Sequence, residues 1–179
     1  MKQKFEQYLG QLVYGAIDGT VTTFAVVAAA AGAQLSPLVI IILGFANLIA
    51  DGFSMGASAY LSAKSERDLK VSKDETHDGG ETPLGDGIFT FAAFVVVGFV
   101  PIVIYVVDAL LNLRMDKMSL FSISSFLTGA AFMGIGIVKG QMTKTSQLKA
   151  AFETLLLGGL AAGLAYVLGD VLAGALGAK

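Results

Sequence analysis

Hydrophobic residues in this chain come in long blocks rather than in alternation or in narrow stripes. Five blocks stand out, at about 12–33, 37–63, 87–107, 118–138 and 151–176, the third and fourth free of any charge. A helix of about 20 apolar residues matches the roughly 30 Å hydrocarbon layer of a bilayer. Inside lipid, only helices or closed barrels satisfy their own backbone. The pattern therefore predicts an all-α integral membrane protein, a single domain over 1–179 with five transmembrane helices. Ser36-Pro37 marks the start of the second helix, because proline suits a first helical turn. At 37–63 that helix would be about 40 Å long, more than the layer requires, so it is expected to tilt or to protrude. Pro101 is expected to kink or end the third. The charged, glycine-containing stretch 64–85 reads as a linker.

The polar residues that interrupt these blocks carry the chemistry. Asp18 lies within the first and Asp51 in the middle of the second. A carboxylate surrounded by hydrocarbon costs several kcal/mol, and such a residue marks an ion or proton path. Residues three and four apart share a helix face, which puts Asn47, Asp51, Met55, Ser58 and Ser62 on one stripe. Rise per residue places Asp18 level with the gap between Asp51 and Met55 on the neighbouring helix. Thr22 stands one turn deeper on the face of Asp18, and Gln11, Tyr14 and Gly15 continue it the other way. Two carboxylates, an amide oxygen and a thioether form a coordination set for a divalent first-row ion. The oxygens suit Mn²⁺ and Fe²⁺, and the sulfur disfavours Mg²⁺ and Ca²⁺. Paired acids repel when both are ionised, so one holds a proton until a cation displaces it. Met55 taken alone is as well explained by packing. Asp108 and Asp170 fall near helix ends, and Glu153 either favours a helix N-terminus or guards a cytoplasmic opening.

Composition narrows the class. Of the residues 55% are hydrophobic and 15% charged, with mean hydropathy +0.73, more apolar surface than a soluble domain of this size can bury. Without cysteine there is neither disulfide nor thiolate metal site. A net charge of −2 gives no nucleic-acid footprint. The distribution of basic residues sets the orientation. With the N-terminus cytoplasmic, Lys2, Lys4, Lys64, Arg67, Lys70, Lys73, Lys139, Lys144 and Lys149 fall inside, against Arg114, Lys117 and Lys179 outside. The C-terminus is then external. The basic start, Met1 to Glu6, leads into no compact apolar run with a cleavage site, and reads as retained. Gly15/Gly19, Gly136/Gly140 and Gly159/Gly163 have the spacing of close helix contacts. His77, among Asp74, Glu75, Asp78 and Glu81, reads as part of a solvated loop ahead of a metal-collecting one.

Tyr14-Gly-Ala-Ile-Asp-Gly-Thr-Val-Thr-Thr-Phe-Ala25, Asn47-Leu-Ile-Ala-Asp-Gly-Phe-Ser-Met-Gly56 and Tyr60-Leu-Ser-Ala-Lys-Ser-Glu66 resemble the vacuolar iron transporter family. Gly136-Ile-Val-Lys-Gly140 and the run from Glu153 to Ala162 extend the resemblance over nearly the whole chain, with less specific motifs. It implies a homodimer of five-helix protomers with the ion path between the copies, lined by helices one and two. It implies proton-coupled export of Fe²⁺ or Mn²⁺ from the cytoplasm; Co²⁺, Ni²⁺ and Zn²⁺ are further candidate cargo, and no permanently bound cofactor is expected. The family's pathway aspartate falls on Asp18 and its pathway methionine on Met55. Several relatives carry a glutamate where this chain has Asn47, a charge that Asp51 can supply. The best-known relatives also insert a glutamate-rich metal-binding domain between helices two and three, for which 64–85 is too short.

The expected site is thus Asp18, Asp51, Met55 and Asn47 as metal ligands, with Thr22, Tyr14, Gly15, Ser58 and Glu153 lining the path. The expected location is a prokaryotic plasma membrane. Two other classes compete: a membrane metal sensor or scaffold without transport, and an intramembrane aspartyl protease using Asp18 and Asp51. The protease lacks its Gly-x-Gly-Asp signature, since Pro83-Leu-Gly-Asp86 and Val167-Leu-Gly-Asp170 each miss the first glycine.

Overall fold

The computed structural model describes residues 7–73 and 82–177, all helix and short connections with no strand among them. Six helices follow in order: α1 Leu9–Gly32, α2 Pro37–Ser72, α3 Pro83–Gly98, α4 Val100–Leu111, α5 Lys117–Met142 and α6 Gln147–Ala175. Four of them (α1, α2, α5 and α6) are long and apolar enough to cross a membrane alone, and α3 with α4 passes the same test as a pair bent by 53°. The result is an all-α membrane protein. His77 and its acidic neighbours, like Lys2, Lys4 and Lys179, lie outside the described residues.

Two local features depart from the expected layout. Helix α2 runs on through 64–72, which the sequence assigns to the linker. Alternating charges such as Glu66, Arg67, Asp68 and Lys70 favour a helix in water as readily as a loop, so polarity alone misleads there. The third block is two helices that break at Phe99, two residues before Pro101. The proline ring excludes a regular turn ahead of it, and the Pro101 carbonyl accepts the buried Ser124 hydroxyl at 2.5 Å.

Capping explains where the helices start. Ser36, Thr82, Asp116 and Ser146 each accept a backbone N–H three residues on, satisfying a donor that the first turn leaves open. Helix α1 ends differently. Gln34 takes a left-handed φ of 59°, while the Leu35 N–H reaches back to the Ala30 carbonyl at 2.9 Å, a Schellman closure without the usual glycine.

Helix α1 is the hub of the bundle and packs most extensively against α3 and α6. The α1–α3 seam is glycine-backed. A methyl added at Gly15 would strike the Thr90 carbonyl, and one at Gly19 the Phe94 carbonyl. From the other side, Gly52 and Gly56 of α2 lie against Phe91 of α3, so α3 is wedged between α1 and α2. Gly136 and Gly140 receive Ala150, Ala151 and Gln147 of α6 in the same manner. Gly159 and Gly163 do not: nothing within 4 Å would meet a methyl at either. Their spacing reflects an open face of α6, not a contact within this chain. Phe94, Ile102, Tyr105, Leu120 and Phe132, almost wholly buried, fill the centre.

Candidate functional site: an acid pair on the first two helices

The wedge of α3 decides where polar groups can meet. Where Gly15 and Gly19 press on α3, α1 has no room for polar side chains. Asp18 is carried just beside that seam, half-buried, as is Asp51 on α2. The two acids expected to pair thus sit on neighbouring helices, α1 and α2. One turn deeper on α1, Thr22 ties its hydroxyl to the Asp18 carbonyl at 2.9 Å. The Asn47 amide of α2 then donates to Thr22 at 3.3 Å and to the buried Thr23 hydroxyl at 3.1 Å. This clasp fixes the register of α2 on α1 next to the acids. It commits the Asn47 nitrogen to the protein and leaves its carbonyl oxygen as the group available to a cation.

Asn47 and Asp51 line an open groove of about 920 Å³ whose other walls are apolar side chains of α1, α2 and α6. Asp18 is not among its lining residues. Met55, a turn beyond Asp51, is half-buried and packs on the hydrophobic core. Tyr14 is 63% exposed, and Ser58 and Glu153 are exposed as well. Gly15 is buried against α3 and occupies a packing position.

Sequence reading missed two polar contacts. Thr23, given no role by the sequence pattern, is the nearer partner of Asn47. Asp86, noted only for a failed motif, is a buried acid in the first turn of α3, where the Gln11 amide donates to it at 2.6 Å. The helix N-terminus offers it partial positive charge. Beside it the Tyr8 hydroxyl accepts the Thr82 N–H at 3.0 Å, and the Tyr8 ring stacks on Phe89 at 4.5 Å. Its signal was available: Asp86 follows Thr82 and Pro83 at a predictable helix start.

Among the described residues, no group of three or more His, Cys, Asp or Glu converges on one point.

Bent and straight apolar helices around a polar first pair define the class: an integral membrane protein with ionisable groups inside the membrane layer. The model of the VIT family matches residues 9–79 and 69–170, and the chain belongs to that family. The two matched pieces overlap at 69–79, which begins in the last turn of α2. The chain is similar to a vacuolar iron transporter of Plasmodium falciparum, 23% identical over 92% of this chain and 82% of the relative. It is similar to vacuolar iron transporter 1 of Arabidopsis thaliana, 26% identical over 89% and 84%. Vacuolar iron transporter homolog 3 of the same plant is 26% identical over 91% and 82%. The first two alignments run over 223 and 216 positions, more than the 179 residues of this chain, whereas the third takes 170. The first two relatives therefore carry extra residues that this chain and homolog 3 lack.

Proposed function

We propose that the protein is a divalent transition-metal transporter that moves Fe²⁺ or Mn²⁺ out of the cytoplasm in exchange for protons. The observation that carries this reading is a carboxylate on each of two membrane helices, Asp18 on α1 and Asp51 on α2, which Asn47 clasps together through Thr22 and Thr23, supported by relatives named vacuolar iron transporters along most of their length. Two carboxylates in a low-dielectric layer repel when both are charged, so the empty site holds a proton and a bound cation releases it. Asn47 supplies its carbonyl oxygen and Met55 its sulfur, a mixed set suited to first-row ions over Mg²⁺ or Ca²⁺. Two acids are few for such an ion. A second copy related by a twofold axis would double them and cover the exposed side of α2, which is why the working unit is a homodimer with the path between copies. Five spans, with α3 and α4 as one bent crossing, put the N-terminus inside and the C-terminus outside under the charge bias of the loops. Alternating access then amounts to opening the acid pair to one side at a time.

The test is uptake of Fe²⁺ or Mn²⁺ into vesicles containing the purified protein, driven by an imposed pH gradient. Uptake should collapse in Asp18→Asn and Asp51→Asn while both variants keep their fold. Uptake indifferent to the gradient would remove proton exchange, and metal binding without flux would leave a sensor or scaffold.

A further inference from the structure

A second cavity, of about 250 Å³, lies at the end of the bundle where α1 passes into α2, away from the acid pair. Gln34, Ile40, Tyr105, Lys117, Phe121 and Tyr166 are among its walls, and no acid lines it. Two features ask for a partner that the protein does not supply. Tyr105 is 1% exposed, yet its hydroxyl makes no hydrogen bond. Buried hydroxyls are almost always paired, and one left alone points to water or a ligand. Lys117 is the first residue of α5, where the positive end of the helix disfavours a cation. Its ammonium donates once, to the Gln34 carbonyl at 2.7 Å, which leaves two of its three donors for another acceptor. A cation with donors to spare and an unpaired buried hydroxyl meet here with no carboxylate among the walls, the neighbouring Asp116 being engaged by Ser119, a pattern selective for an oxyanion. The remaining walls, including Leu35, Ile40 and Phe121, are apolar. Helix ends such as this one lie at the depth of lipid headgroups.

We propose that this cavity binds the phosphate or carboxylate headgroup of an anionic amphiphile, with Lys117 and the Tyr105 hydroxyl as its donors. The site is independent of the metal reading, since none of its walls belongs to the acid pair.

The experiment is thermal unfolding of the full chain in a neutral detergent, titrated separately with phosphatidylglycerol, phosphatidylcholine and inorganic phosphate. Phosphatidylglycerol should raise Tm by several degrees while phosphatidylcholine leaves it unchanged. The half-saturating lipid concentration should rise about tenfold in Lys117→Gln, and Lys117→Arg should recover most of it. Tyr105→Phe should weaken the response several-fold, yet unfold no earlier than wild type without lipid, because it removes an unpaired buried hydroxyl. A shift with inorganic phosphate alone also upholds the site and assigns it to a free anion. No shift with any of the three, or an undiminished phosphatidylglycerol response in Lys117→Gln, overturns the proposal.

Discussion

Helix α1 shows two different surfaces. Toward α3, beyond the polar Gln11–Asp86 contact at one end, it is close packing: Gly15 and Gly19 let two backbones meet so closely that a single methyl would collide with a carbonyl. Toward α2 it is polar, with a hydrogen-bonded clasp from Asn47 to Thr22 and Thr23 one turn from Asp18. The contrast teaches that the polar gap is defined by its dry neighbour. Because α3 packs on both α1 and α2, it fixes their rotation, and the Asn47 clasp then sets their register beside the acids. Close packing is stabilising in lipid, where small residues rather than hydrophobicity drive helix association. An acid pair works against that stability. One face holds the bundle together, and the other spends part of that stability on function.

The sharpest way to break this contrast is to neutralise the polar side alone. Asp18→Asn and Asp51→Asn keep side-chain size and remove charge. If each acid contributes about 3 kcal/mol to holding the cation, either change lowers affinity roughly 100-fold. Vesicle uptake should fall accordingly, with Tm unchanged or slightly higher because a repelling charge is gone. A variant that loses Tm and transport together would mean that the acids hold the fold rather than the ion.

The opposite change attacks the dry side. A methyl at Gly19 lies 2.9 Å from the Phe94 Cα and closer still to its carbonyl. Overpacking of this kind costs about 1–3 kcal/mol, so Gly19→Ala should unfold several degrees earlier. Gly159→Ala is the matched control: with open space around it, the gain in helix propensity should leave stability equal or raised by about 1 kcal/mol. Equal losses at both positions would show that the spacing of glycines, not their contacts, matters.

A smaller effect is expected at the boundary between the two faces. Asn47→Ala removes both donations to α1. Hydrogen bonds between membrane helices average about 0.6 kcal/mol, so the loss should be about 1 kcal/mol by denaturant titration in detergent. Transport should drop more than stability does, since the clasp sets the register of Asp51. Proportionate losses would reduce Asn47 to a packing residue.

Much of this arrangement was legible in the residues, and the exceptions have causes. Long apolar blocks announced the helices, because lipid leaves few other choices. Rise per residue put Asp18 level with the gap between Asp51 and Met55, and in the fold the two acids stand half-buried on helices joined by the Asn47 clasp. The end of α2 was misread because a charged helix outside the bilayer has no apolar stripe to reveal it. The role of Gly15 could not be read from its place on the face of Asp18. A glycine beside an acid can open a path or admit a neighbouring backbone, and only the position of α3 decides. Gly159 and Gly163 had the right spacing and no partner within the chain, for the same reason. Asp86 escaped because an acid near a helix start is ordinarily a solvated charge favouring the dipole. Its burial follows from the tertiary contact with Gln11.

The smallest effect contrasts an acid facing an acid with an acid facing donors. Asp116, fully exposed ahead of α5, accepts the Ser119 hydroxyl at 2.7 Å and the Ser119 N–H at 2.9 Å. The hydroxyl first, and the backbone N–H next, hold its carboxyl below the ordinary carboxylate value. A carboxyl lowered on folding stabilises the folded state above its unfolded value, near pH 4, and that contribution fades as pH falls through the folded value. Asn is an equally good cap but does not titrate in this range. The stability difference between wild type and Asp116→Asn should therefore be small and constant at neutral pH, and shrink below about pH 4. A difference that grows on acidification would mean that Asp116 gains a partner when protonated, and would place it with the acid pair rather than against it.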